Sequence, residues 1–148
     1  MLKEDITQIR KERHHITQED FTPDYVVEEM YKMLNDDAIY NDFSKTILDP
    51  CSGIGNLLIY AFKKRLNHCN TEDDVYAALS TIYGTELMAD NVEECYDKFL
   101  SVINDIDIVC DNNKILYILK RNIVCTDTFK WDYENWCPIQ EMRTIPLF

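Results

Sequence analysis

Thr46-Ile47-Leu48-Asp49-Pro50-Cys51-Ser52-Gly53-Ile54-Gly55-Asn56 is the stretch around which the remainder of the chain arranges itself. Residues 46–49 read as a buried strand that ends on an acid. Pro50 stops it, because proline has no N–H to give a ladder. Gly53 and Gly55 let the backbone turn sharply and pass close to a ligand. Leu58, Ala61, Phe62 and Leu66 then recur at helical spacing, so a helix is expected over about 55–67. Strand, acid, glycine loop and helix in this order form the first unit of a doubly wound parallel sheet. Such sheets bind ligands beyond the carboxyl ends of their strands.

The segments on either side fit that sheet. Thr22 is a suitable N-cap and Pro23 suits a first helical turn. Val27, Met30, Tyr31 and Leu34 follow at i, i+3, i+4 and i+7, so residues 23–35 are expected to form an amphipathic helix that Asn35-Asp36-Asp37 breaks. Residues 1–20 are a separate polar segment, with a loosely held helix over roughly 3–13. A short helix is expected over 72–80. Thr81-Ile82-Tyr83-Gly84-Thr85-Glu86-Leu87 reads as the next strand. Asp90 or Asn91 caps a helix that carries Val92, Cys95, Tyr96, Phe99 and Ile103. Residues 105–120 are ambiguous: 106–109 alternate like a strand, while Ile115, Ile118 and Leu119 fit a short helix. Asn122–Asp127 reads as a third strand, and 128–148 as an irregular aromatic tail. The domain proper is 21–148.

The chain has 148 residues, enough for one domain with a real core, and a net charge of −12. That charge argues against unaided binding to nucleic acid, which needs cations against phosphate. Its plain meaning is a solvated acidic surface; a basic partner and mimicry of nucleic acid are the minor readings. None of the six cysteines forms a C-x-x-C pair or a zinc-spaced cluster, so no metal ligands are expected and several cysteines belong to apolar faces as reduced core thiols. His14-His15 reads as surface. No signal peptide and no apolar run of spanning length are seen, which leads to a cytoplasmic, reducing location.

Three expected strands end in acids: Asp49, Glu86 and Asp127. In a parallel sheet these ends share one edge, and an acid after the second strand is placed to accept two ribose hydroxyls. A dinucleotide fingerprint requires a third glycine, where Leu58 stands. An acid directly before the loop also repels a pyrophosphate, and no Gly-Lys-Ser/Thr follows. The loop therefore suits a ligand that presents an ammonium to Asp49 together with a ribose, as S-adenosylmethionine does.

Here the chain resembles the S-adenosylmethionine-dependent N6-adenine DNA methyltransferases. Asp49-Pro50-Cys51-Ser52-Gly53-Ile54-Gly55 is similar to their first motif, of the D-P-x-x-G-x-G kind. Phe21-Thr22-Pro23, followed by Val26, Val27 and Met30, resembles their N-terminal cofactor motif. Tyr83–Leu87 resembles the second motif and Asp127-Thr128-Phe129 the third. The resemblance covers roughly residues 13–131. It implies a Rossmann-like methyltransferase fold that stops after the third or fourth strand and carries an N-terminal helical segment. It further implies roles. Thr22 and Pro23 border the methionine end of S-adenosylmethionine. Asp49 and the loop through Pro50, Cys51, Gly53 and Gly55 hold its amino and carboxylate groups. Glu86 takes the ribose hydroxyls, Leu87 and Met88 pack on the adenine, and Asp127 accepts the adenine amino group with Phe129 against the ring. Met88 and Phe129 read equally well as ordinary core.

One part of the pattern fails. The family's catalytic N/D-P-P-Y/F/W tetrapeptide, which binds the target amino group and stacks on the flipped base, does not occur. The nearest candidate, Ile145-Pro146-Leu147-Phe148, is a decayed motif or chance. Two readings follow: a methyltransferase domain that needs a partner subunit for the missing motif and for DNA, and a non-catalytic cofactor-binding or regulatory protein on the same scaffold. An acidic decoy for a DNA-binding protein is a third, resting on charge alone. Strand 46–49 would normally be central, and with nothing beyond it forms an open edge. A homodimer or partner complex is therefore expected there, unless the tail 139–148 adds a strand.

Overall fold

The computed structural model describes residues 3–17, 20–34 and 38–140, with side chains for 7–14, 20–34 and 38–140. Three short parallel strands form its sheet: β1 (Ile47–Asp49), β2 (Ile82–Glu86) and β3 (Ile123–Cys125), in the spatial order β1-β2-β3. Ile47 stands opposite Ile82, and Glu86 opposite Cys125. The fold is thus mixed α/β, as a Rossmann-like fragment requires.

Helices supply one face of the core. α4 (Asn56–Leu66) packs on β1 and β2, and α6 (Ala89–Asn104) on β2 and β3. α5 (Glu72–Leu79) and α7 (Asn112–Asn122) close the layer. Leu58, Phe62, Val75, Leu79, Phe99 and Ile115 are fully buried there, with the Phe62 and Phe99 rings 5.4 Å apart. Gly84 lets α4 come close, since a Cβ there would lie 2.9 Å from Leu58 Cδ1. Tyr83 alternates to the opposite face. There Trp136 meets its ring edge-on at 4.8 Å, from the hairpin of β4 (Trp131–Asp132) and β5 (Cys137–Pro138).

Three expectations need correction. Met88, not Asp90 or Asn91, is the N-cap of α6: Asp90 is taken by an arginine and Asn91 turns toward Glu86. Residues 106–109 form no strand. Asp111 caps α7 instead, accepting from the Asn113 N–H at 2.8 Å, and β3 already fills the place beside β2. Residues 128–138 of the tail are not irregular, because a short 3₁₀ turn (Thr128–Lys130) leads straight into the hairpin. The helix break at 35–37 and the segment Ile145–Phe148 lie outside the described residues.

Buried Arg65 was not foreseen. It sits in the basic last turn of α4, yet it is 0% exposed. Its guanidinium donates to Thr81 Oγ1 and to the carbonyls of Ile39 and Lys45, the latter two at 3.2 and 2.9 Å. It thereby joins α3 (Ala38–Asn41), the approach to β1 and the start of β2.

Candidate functional site

The glycine loop leaves β1 at Asp49, whose Oδ1 accepts the Cys51 N–H at 3.0 Å. Ser52 anchors the loop to β2 by donating its N–H to the Thr85 carbonyl at 3.0 Å. Fully buried Thr85 returns a hydroxyl bond to the Pro50 carbonyl at 2.7 Å and meets the Tyr133 hydroxyl at 3.0 Å. Gly55 has φ 85°, a backbone that side chains rarely adopt. A Cβ there would sit 2.4 Å from the Cys95 sulfur. The loop therefore closes directly onto α6.

Glu86, at the end of β2, reaches back across this loop. Its Oε2 accepts the Gly53 N–H at 2.9 Å. Its Oε1 accepts the Met88 N–H at 2.8 Å and, more loosely, Asn91 Nδ2 at 3.3 Å. A carboxylate offers about four acceptor positions, so Oε2 keeps one for a further donor. Burial pushes the Asp49 carboxyl above its ordinary range, and the neighbouring Glu86 charge adds to this; the Cys51 N–H opposes both. A cation beside Asp49 relieves that strain on its charge.

The N-terminal segment covers the loop. Phe21 lies against Gly53, its Cδ1 3.3 Å from where a Cβ would stand. The Arg10 guanidinium sits 5.2 Å from the centre of the Phe21 ring and pairs with Glu94. Arg13 binds both Asp90 oxygens at 2.8 Å. α1 (Lys3–Thr17) is thus latched to α6 by two arginine–carboxylate pairs, more firmly than its sparse apolar residues suggested. The Pro23 carbonyl receives the first helical bond of α2 (Asp24–Leu34), from the Val27 N–H at 3.1 Å, so Pro23 and not Thr22 stands in the cap position and the helix begins at Asp24. Thr22 gives its carbonyl to Asn56 Nδ2 at 2.9 Å instead.

Between these parts lies a hollow of about 50 Å³, lined among others by Phe21, Thr22, Asp49, Cys51 and Gly53. It has room for a water or two, against roughly 300–1,000 Å³ for a cofactor site. Pro23, Pro50 and Gly55 do not line it. They set its walls through the α2 start, the Thr85 bond and the Cys95 contact. Leu87 (61% exposed) and Phe129 (88%) stand out into solvent, so the expectation of ordinary core for Phe129 does not hold. Met88 is half-buried. Asp127 caps the 3₁₀ turn, its Oδ1 accepting the Phe129 N–H at 3.0 Å. It follows directly on Thr126, whose N–H donates to the Glu86 carbonyl at 2.8 Å.

Sequence reasoning overlooked the latch, although its signal was present: Arg10 and Arg13 are three residues apart, and Asp90 and Glu94 four, each pair on one helix face. It also overlooked Thr85 and Tyr133, whose hydroxyls read as ordinary strand and tail residues. All six cysteines are free. Cys95 is in the core, where burial pushes its thiol up to about 12. Cys69 and Cys110 pack against the core, while Cys51 and Cys125 are exposed. No helix among the described residues is long and apolar enough to cross a membrane. Compared with protein-family models, curated proteins and solved structures, the chain finds no match.

Proposed function

We propose that this chain is a methyltransferase domain of the adenine-N6 type that binds S-adenosylmethionine at the carboxyl edge of its three strands. One observation carries the reading: the two acids that end β1 and β2 converge on one glycine loop, with Glu86 hydrogen-bonded to Gly53 and close enough to Asp49 to raise its pKa. A dinucleotide site places a pyrophosphate where Asp49 stands; an ammonium suits that place and a ribose suits Glu86.

The donor set fits the amino-acid and ribose ends of the cofactor. The present hollow of about 50 Å³ does not hold the cofactor, so the Phe21 ring, which lies on Gly53, has to move aside for it to bind. Asp49 would then hold the ammonium and Glu86 Oε2 would take a ribose hydroxyl at the expense of no existing bond, while the N–H groups of Cys51, Ser52, Gly53 and Gly55 stay donated within the fold. Leu87 and Phe129, both exposed on the rim, are apolar surfaces for the adenine, with Asp127 as the acceptor for its amino group. The bound group supplies an electrophilic methyl. The chain's own contribution is alignment and exclusion of water.

The absent N/D-P-P-Y/F/W tetrapeptide favours a second reading, in which the same site serves a non-catalytic or regulatory cofactor-binding protein. Calorimetry with S-adenosylmethionine tests the shared premise. Wild type is expected to bind, and Glu86→Ala to bind at least tenfold more weakly through loss of charge-assisted bonds. Equal affinity for both proteins, or no binding by either, rejects the cofactor site. Methyl transfer to adenine-containing DNA, alone and with any copurifying subunit, then separates enzyme from module.

A further inference from the structure

We propose that the N-terminal segment is an autoinhibitory lid: α1 and the Phe21 ring close the glycine loop, and the arginines of α1 hold them shut. The proposal names a regulation of the cofactor site described above and rests on that reading. Phe21 Cδ1 lies 3.3 Å from where a Gly53 Cβ would stand, beside the hollow that Asp49, Cys51 and Gly53 line. That hollow is about 50 Å³. The ring therefore takes up space that any ligand of Asp49 larger than a water or two needs.

Polar contacts couple the ring to α1, and α1 to α6. The Arg10 guanidinium sits 5.2 Å from the centre of the Phe21 ring, within cation–π range, and pairs with Glu94. Three residues on, Arg13 takes both Asp90 oxygens at 2.8 Å. His14 Nδ1 stands 3.4 Å from Asp20 Oδ1, which joins α1 to the residue before Phe21. This attachment is built to open. None of the described side chains of α1 is buried, and Ile9 is 46% exposed. Charge holds the helix to α6 in place of apolar burial, and a partly exposed pair shifts an equilibrium by about fivefold at most.

The chain beyond the ring is fixed. Thr22 gives its carbonyl to Asn56 Nδ2 at 2.9 Å. Val27 is buried, and Tyr31 donates its hydroxyl to the Leu57 carbonyl at 3.0 Å. These contacts hold α2 on α4, so the boundary between what swings and what stays falls between Phe21 and Thr22. Such a lid lowers the apparent affinity of the site by the fraction of molecules that are open. Loosening it tightens binding, which is the opposite of what losing a direct ligand contact does.

The test is calorimetric titration of the full chain with S-adenosylmethionine, with hydrogen exchange at the α1 amides read in its absence and presence. Arg10→Gln is expected to bind about two- to fivefold more tightly than wild type. Arg10→Gln combined with Arg13→Gln should bind more tightly still, and Phe21→Ala should also gain affinity. Lys32→Gln breaks exposed pairs on α2 and is expected to match wild type. Melting midpoints near the wild-type value establish that each variant is folded. Bound cofactor should lower the protection of the α1 amides in wild type. If wild type binds and Arg10→Gln or Phe21→Ala binds equally or more weakly, the lid is overturned and the cofactor site stands. Gain of α1 protection with the cofactor overturns the lid as well. Absence of binding by every protein overturns the lid together with the cofactor reading.

Discussion

Gly55→Ala puts a number on how tightly the glycine loop is closed onto α6. The residue has φ 85°, and the left-handed region costs an alanine about 1–2 kcal/mol. The new methyl also arrives 2.4 Å from Cys95 Sγ, and Cys95 is 0% exposed, so the sulfur cannot swing into solvent. Overpacking of this kind costs about 1–3 kcal/mol. The sum, about 2–5 kcal/mol, is a large part of the stability of a domain this size. Cys95→Ala removes the sulfur, after which the nearest atoms to the new methyl are Cys95 Cβ and Ile59 Cδ1, both at an ordinary 3.5 Å. The double variant should therefore be less destabilised than the two single changes added together, by about 1–3 kcal/mol. Urea denaturation followed by circular dichroism measures all three variants. Strict additivity would refute the contact between loop and α6, and would leave backbone strain as the whole cost.

Arg65→Met should lower the stability by about 2–4 kcal/mol, because it strands the Thr81 hydroxyl and the carbonyls of Ile39 and Lys45; a calorimetric melting shift under about 3 °C would contradict that assignment. The α1 latch should respond to acid. The Arg13 bonds hold the Asp90 carboxyl below its ordinary 3.8, so the folded pKa is depressed. Its stabilisation is present above the unfolded value and fades as pH falls through the lower folded one. Such an exposed pair is worth about 1 kcal/mol or less, so the protection of the α1 amides, taken relative to the intrinsic exchange rate at each pH, should fall several-fold in acid, and Arg13→Gln should remove that dependence.

The elements nearest the site were the most legible. The strand, the glycine loop and Glu86 each carry a local chemical signature: a proline stop, positive-φ glycines, an acid at a strand end; only the burial expected over 46–49 fails, since β1 is an edge strand with Thr46 and Leu48 exposed. The parallel sheet was read from the sequence, whereas the order β1-β2-β3 is given by the structure. What stayed hidden depends on distant partners. Arg65 looks like a solvated charge in a basic helix turn until the approach to β1 folds over it. Asp90 looks like a cap until Arg13 arrives from 77 residues earlier. Residues 106–109 alternate convincingly, and Ile106 and Ile108 do pack against the core, but the ladder beside β2 is filled by β3. The small hollow at Gly53 was invisible because Phe21 reads as part of a motif, with nothing local to say that its ring lies on the loop.

Both tryptophans of the chain, Trp131 and Trp136, lie in the β4–β5 hairpin, their rings 5.4 Å apart. Trp136 also donates its indole N–H to the Arg121 carbonyl at 2.8 Å and holds φ 52° to do so. All indole emission therefore originates on one side of the sheet, directly behind the strand that ends in Glu86. Fluorescence and far-ultraviolet dichroism interrogate different halves of the molecule. Coincident melting curves would mean that the hairpin and the helical layer open as one unit. An earlier optical transition would identify the hairpin as a separately opening flap, and the chain would report that event without any added label.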